Sequence, residues 1–298
     1  MGRDRHVGPA SRTRPPSALR PGARPGGRGR RTRPVRRASA GLTPTRAGAL
    51  LALLLGLAGL YGAVASDAFA LRRTEVVGLT WTSESTLLDA LDVPRDQNLF
   101  TLRTGSLEAR AATVPAIRSA RVTVELPDAI RVAATEREAL LVWQVGDRRY
   151  LVDRDGMLFA QLGDPVPAAA RGLPVMVDRR ASASSLETAD TLDPVILDAA
   201  LRLGSLRPVD LGSTASGLQL QLDDDAGFVV QGTGVGWTAV FGFYTPTLRT
   251  TDLIPGQVRL LRALLAGRED DALRIILADD RSGTYVPRDT PAPATAAP

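Results

Sequence analysis

Few side chains among these 298 residues could act on a covalent bond. There is no Cys, and all 37 basic residues are Arg, which excludes a thiolate nucleophile, a Schiff-base lysine and a P-loop lysine. The single histidine, His6, lies close to the N-terminus, so neither a Ser-His-Asp triad nor a histidine metal cluster can be assembled. Carboxylates do cluster, at Asp223-Asp224-Asp225 and Asp279-Asp280, and such oxygens suit a hard cation. Neither run has EF-hand spacing, and acidic hairpin turns have the same composition. Asp153-Arg154-Asp155-Gly156 is a turn signature in itself. Gly232-Thr233-Gly234-Val235-Gly236 lacks the helix and distal acid of a dinucleotide site and reads as a loop between strands. Trp81, Trp143 and Trp237 would suit a wall-glycan platform, but they read better as core or partner contacts. The expectation is a protein with no catalytic, cofactor-binding or metal-binding residue and no small-molecule substrate.

The charge is divided along the chain. Residues 1–46 hold 13 Arg and one acid, Asp4, while the remainder holds 24 Arg and 31 acids. The basic segment has many Pro and Gly and almost no large apolar residues, so it is expected to be a disordered tail. Runs such as Arg28-Gly29-Arg30-Arg31-Thr32-Arg33 would attract a polyanion. No aromatic residue is interleaved for base stacking, which disfavours nucleic acid and leaves anionic lipid headgroups as the tail's natural contact.

Residues 47–66 then run without a charge. Twenty helical residues reach about 30 Å, the thickness of a bilayer core, and this stretch is apolar on every face. The arginines before it predict a cytoplasmic N-terminus and exported C-terminal domains. Ala63-Val64-Ala65 has the small-residue form of a signal cleavage site, but the run exceeds a signal core of 7–15 residues. An uncleaved single-pass anchor is expected.

The exported part reads as α+β. Phe69, Leu71, Thr74 and Val76 lead as a strand to the turn residue Gly78. Ser83 offers a cap to a helix carrying Leu87, Leu88 and Leu91, which Val93-Pro94 would end; Ser106 would cap a second helix, stopped by Pro115. Ala120, Val122, Val124 and Leu126 alternate inward, and Ile130, Val132 and Ala134 return after a Pro127-Asp128 turn. This β-α-α-β-β order fills 67–138. Residues 139–288 read as a β-rich domain with strands at 140–145, 149–152, 157–160, 173–178, 218–222, 227–231, 237–243, 273–278 and 284–286. Helices at 194–206 and 255–266 flank them, and the Pro/Ala-rich end, 289–298, is expected to be disordered.

Four segments carry a family resemblance: Phe69-x-Leu71 leading to Val76-x-Gly78; Asn98-Leu99-Phe100; Val114-Pro115-Ala116-Ile117-Arg118-Ser119-Ala120; and Leu126-Pro127-Asp128-Ala129-Ile130 with Glu136-Arg137-Glu138-Ala139. Their order after a single anchor resembles the POTRA domain of the bacterial division protein family FtsQ/DivIB. The likeness extends over roughly 47–288, strongest in 69–160 and 227–286. It implies a non-catalytic scaffold of the divisome in the cell's inner membrane, concentrated at the septum. It further implies partners resembling FtsB and FtsL, met by a terminal strand edge at Arg281, Ser282, Gly283, Thr284, Tyr285 and Val286. Tyr285 would serve there as an aromatic anchor or pack beneath its strand, and Arg281 and Arg288 would face an acidic partner. POTRA units also occur in polypeptide-transport factors, and a membrane-anchored wall hydrolase is a further alternative.

Overall fold

A computed structural model describes residues 43–94 and 96–288. The tails expected in 1–46 and 289–298 therefore lie outside the described residues, apart from residues 43–46. Helix α1 runs Pro44–Ala65, so Pro44, Thr45 and Arg46 belong to it, and none of its residues is buried. Its 22 residues are long and apolar enough to cross a membrane.

The first sheet has three strands in the order β1-β3-β2: β1 (Arg73–Val77), β2 (Ile117–Glu125) and β3 (Ala129–Glu136). β3 is central, parallel to β1 and antiparallel to β2. Two helices join β1 to β2, α2 (Glu84–Leu91) and α3 (Thr104–Ala111). They bury Leu87, Leu91, Leu107 and Ala111 in one cluster with Val122, Ile130 and Val132. Ser83 caps α2 by accepting from Thr86 N–H at 3.1 Å. Glu136 at the end of β3 accepts the N–H groups of Thr80, Trp81 and Thr82 at 2.5–2.8 Å, tying the α2 approach to the sheet.

Three local expectations are corrected. Ser106 does not cap α3: the helix begins at Thr104 and takes Ser106 into its first turn. The residue that stops α2 is Asp92, which adopts a left-handed φ of 42° two residues before Pro94. Val124 and Leu126 are 37% and 58% exposed, because β2 outruns the helices that cover Ala120 and Val122.

The second sheet has nine strands. These are β4 (Leu141–Val145), β5 (Arg148–Val152), β6 (Leu158–Gln161), β7 (Val175–Asp178), β8 (Gly217–Asp223), β9 (Gly227–Thr233), β10 (Thr238–Gly242), β11 (Ala272–Leu277) and β12 (Gly283–Pro287). Their spatial order is β12-β11-β10-β9-β8-β7-β4-β5-β6. Helix α4 (Pro194–Gly204) connects the parallel pair β7 and β8, and α5 (Ile254–Leu265) connects the parallel pair β10 and β11. Parallel neighbours require such crossovers. Asp193 caps α4, accepting from Val195 and Ile196 N–H. Both helices contribute to one core with Tyr150, Phe228, Phe241 and Ile275.

Trp143 and Trp237 are fully buried in that core. A buried indole N–H needs an acceptor. Trp143 donates to Asp178 at 3.2 Å and Trp237 to Glu269 at 2.9 Å. On the other face of β4–β6, Val142, Leu151 and Phe159 pack with Ala116 and half-buried Trp81 of the smaller unit. The Trp81 and Phe159 rings meet edge-on at 6.4 Å. Arg137 donates to the 1%-exposed carboxylate of Asp153 at 2.6 Å.

Candidate functional site

The acidic runs are local structure. Asp223 accepts from Ala226 N–H and Asp224 from Ala181 N–H. The Asp153 Oδ1 atom accepts from the N–H groups of Asp155 and Met157, closing the β5–β6 turn. Gly234 and Gly236, with φ near +88° and +78°, form the tight β9–β10 connection. Among the described residues no three acidic or histidine side chains come together as a metal site.

What the larger sheet offers is backbone. β12 is its last strand and is hydrogen-bonded to β11 alone. The bond from Ala278 N–H to Ser282 C=O, 2.9 Å, sets the phase of this ladder. Bonded and non-bonded pairs alternate along antiparallel strands. Thr284 and Val286, opposite Ile276 and Arg274, therefore turn their N–H and C=O groups toward β11. Gly283 and Tyr285 turn theirs outward, where no strand lies among the described residues. Residues Ser282–Val286 of this edge are uncharged.

The other edges are protected in ways known to block strand addition. At β6, Leu158 N–H donates to Asp190 C=O and Ala189 N–H donates to Leu158 C=O, both at 2.8 Å, so a loop covers the strand. On β2 the Glu108 carboxylate takes the N–H of Val122, and Arg118, Arg121 and Glu125 line the strand. β1 carries Arg73 and Glu75.

Several contacts hold β12 in place. Asp279 opens the preceding turn, accepting from Arg281 N–H at 2.8 Å and Ser282 N–H at 2.6 Å. Those two donors hold its carboxyl below the usual aspartate range. The turn lies on α5 at Gly256, where an added Cβ would come within 2.3 Å of the Asp280 Cβ. Buried Gln257 donates to Phe241 and Leu277 C=O, and Arg249 donates to the same two carbonyls, fixing the ends of β10 and β11. Tyr244 donates to Gln257 at 2.7 Å, and burial pushes its phenol far above the usual tyrosine range.

Of the residues singled out on the chain, Arg281, Ser282, Gly283 and Thr284 are exposed and Tyr285 and Val286 half-buried. They form one continuous turn and strand. The Tyr285 ring packs against the main core and its hydroxyl donates to Arg268 C=O at 3.1 Å, so its backbone is what faces the edge. One side of the ring lines a cleft of about 450 Å³ shared with Arg268, Asp271 and Arg288. The Arg281 side chain has no partner among the described residues. Arg288 departs from expectation: its guanidinium donates to Val235 C=O at the β9–β10 connection. Sequence reasoning also missed Arg268, Arg249 and Gln257, whose roles depend on distant carbonyls.

Two family models match the chain, a POTRA domain of FtsQ type over residues 69–137 and the C-terminal region of cell division protein FtsQ/DivIB over 141–229. The second match stops short of α5, β11 and β12, the region where part of the sequence resemblance was strongest. Among curated relatives, the cell division protein FtsQ of Mycobacteroides abscessus is 28% identical over 153 residues, 51% of this chain and 47% of that protein. The FtsQ of Mycobacterium tuberculosis (strain H37Rv) is 36% identical over 121 residues, 41% of this chain and 37% of that one. The FtsQ of Chloroflexus aurantiacus is 25% identical over 221 residues, covering 74% and 71%. The chain thus spans about half or less of the length of the first relatives it matches.

Proposed function

Because the chain belongs to the FtsQ/DivIB family of cell division proteins, we propose that it is a non-catalytic scaffold of the division machinery. In this reading α1 anchors it once in the cell membrane with the N-terminus cytoplasmic, and the domains at 67–138 and 139–288 lie on the outer side at the septum. Its partners resemble FtsB and FtsL.

The observation that carries the reading is the β12 edge, uncharged over residues 282–286 and without a further strand beside it among the described residues. A partner segment that extends along Gly283–Val286 would take up the outward N–H and C=O groups of Gly283 and Tyr285, adding a tenth strand to the sheet. Side chains of that segment would reach the cleft beside Tyr285, and Arg281 would meet an acidic residue. Nothing in this role needs a nucleophile, a metal or a cofactor.

Proline supplies the test. It removes an N–H and is tolerated on edge strands where that N–H faces solvent. Tyr285→Pro deletes an outward donor and leaves the β11 ladder in place. Tyr285→Ala deletes the ring and keeps the donor. Capture of membrane division proteins by the tagged full chain is expected to fall by about thirty-fold in the proline variant, the effect of leaving one buried carbonyl unpaired at roughly 2 kcal/mol. The alanine variant should retain most of it. Equal capture by the proline variant and the wild type rejects strand addition at β12. Depletion of the protein should give cells that elongate without completing septa; normal septation would reject the division role itself.

A further inference from the structure

The short segment 97–103 joins the end of α1 to a basic cleft. Asn98 donates from Nδ2 to the carbonyls of Ala63, Val64 and Ser66 at 3.0–3.3 Å, the last turn of α1 and the residue after it. Its Oδ1 accepts from Phe100 N–H at 2.9 Å, and its backbone bridges to Ala70. One side chain therefore covers carbonyls that a helix end leaves without partners and fixes the following residues beside that end. Phe100 is 48% exposed and stacks edge-on with Phe69, the ring centroids 4.9 Å apart. Tyr61, one turn before the end of α1, is 76% exposed.

Beyond Phe100 the chain borders a cleft of about 310 Å³ whose polar lining is Gln97, Thr101, Arg103, Ser106 and Arg110. Among the described residues no carboxylate lines it. Gln97 donates to Thr101 at 2.8 Å. Arg110 is held by bonds from Nη1 to Leu91 and Asp92 C=O, leaving its other nitrogens without a partner among the described residues. Arg103 is exposed and its guanidinium has no hydrogen bond or ion pair there. The Thr101 hydroxyl donates to Asn98 C=O, so two guanidinium groups and the Ser106 hydroxyl, with no opposing acid among the described residues, make a site for a phosphate-bearing ligand.

The position of the cleft identifies the ligand. α1 is about 33 Å long, slightly more than a bilayer core, so its clasped end emerges into the headgroup layer. Exposed aromatic rings gather at that level, and arginines reach headgroups from it. We infer that segment 97–103 and the start of α3 form a binding site for the headgroup of an anionic phospholipid, with the Phe69–Phe100 pair set among the upper acyl carbons. The inference rests on α1 being a membrane span and is independent of the β12 edge.

The test uses the full chain carrying Phe100→Trp in phosphatidylcholine vesicles with a minor fraction of phosphatidylglycerol, either lipid brominated near the top of its acyl chains. Subtracting the quenching of the unsubstituted chain removes the share of Trp81, Trp143 and Trp237. The added tryptophan should be quenched by both lipids and preferentially by phosphatidylglycerol. Adding Arg103→Gln should reduce that preference about five-fold, the effect of one interfacial arginine, without changing quenching by phosphatidylcholine. No added quenching overturns the site, and so does a preference that falls by less than two-fold. Flotation of the chain with vesicles tests the span separately, so a floating but unquenched chain removes the headgroup site alone.

Discussion

The nine-stranded sheet finishes differently at its two ends. At β6 the strand is covered by the loop through Asp190, its Phe159 packs with Trp81 of the smaller unit, and the adjoining β5–β6 turn is gripped by Arg137 through Asp153. At β12 the backbone of Gly283 and Tyr285 faces outward and no charged residue guards Ser282–Val286. Edge strands that stay open in a folded protein invite pairing. The contrast teaches that one end is an internal joint, stabilised by side chains, while the other, in the proposed role, is a template that offers main-chain hydrogen bonds. Substitutions should therefore separate the two: stability should respond at the β6 end, and partner capture at the β12 end.

The largest expected effect is at the joint. Arg137→Ala leaves the buried Asp153 carboxylate without its cation, and breaking a buried pair from one side costs about 3–5 kcal/mol. Arg137 is 17% exposed and Asp155 also lies 3.8 Å from it, so the lower end of that range applies. The urea midpoint of residues 67–288 should fall accordingly, while partner capture at low temperature persists. Tyr285→Pro should give the reverse pattern, with a midpoint no lower than that of Tyr285→Ala. If Arg137→Ala abolishes capture while the chain is still folded, the two ends are coupled and the contrast fails.

The joint was the part least legible in the sequence. Asp153 reads as a turn residue and does close a turn, but its second oxygen meets a guanidinium 16 residues away, which no local pattern encodes. Glu136 likewise looks like one residue of a polar run until its carboxylate is seen to gather three N–H groups 54–56 residues upstream. Alternation and capping chemistry were legible, as Ile130, Val132 and Ala134, and Ser83 illustrate. Both depend only on neighbours within a turn or a strand. Alternation misled at Val124 and Leu126, since period two names a face without saying how far its cover extends. For the edge, the family resemblance pointed to residues 281–286, but which of them face outward depends on the register with β11.

A smaller effect, on the β12 side, depends on pH. Burial pulls the Glu269 carboxyl upward. Hydrogen bonds from the Ser213 hydroxyl, the Thr214 N–H and hydroxyl, and the Trp237 indole outweigh that pull and hold it below the usual glutamate range. A depressed folded-state value means that this stabilisation is complete above the unfolded value of about 4.3 and is lost as pH falls through the folded one. Glu269→Gln should therefore flatten the acid limb of the stability profile and lower the plateau above pH 5 slightly. An unchanged acid limb would mean that Glu269 does not hold the α5–β11 connection, next to the Arg268 carbonyl that anchors Tyr285.

The smallest expected effect concerns the turn that presents the edge. Asp279 is half-buried in an otherwise exposed turn, so water can replace its bonds to Arg281 and Ser282 N–H when Asp279→Ala removes them. Surface changes of this kind alter partner affinity by no more than about two-fold. Amide exchange reads the site more finely. With the phase set by the Ala278–Ser282 bond, the amides of Thr284 and Val286 should exchange slowly and those of Gly283 and Tyr285 quickly. Asp279→Ala should speed Thr284, nearest the turn, more than Val286. Protonation should do the same in the wild type as pH falls below about 3.9, because the carboxyl is depressed in the folded chain. A bound partner strand should invert the alternation by slowing Gly283 and Tyr285. If those two amides are already slow in the free protein, the edge is closed and strand addition at β12 has no template.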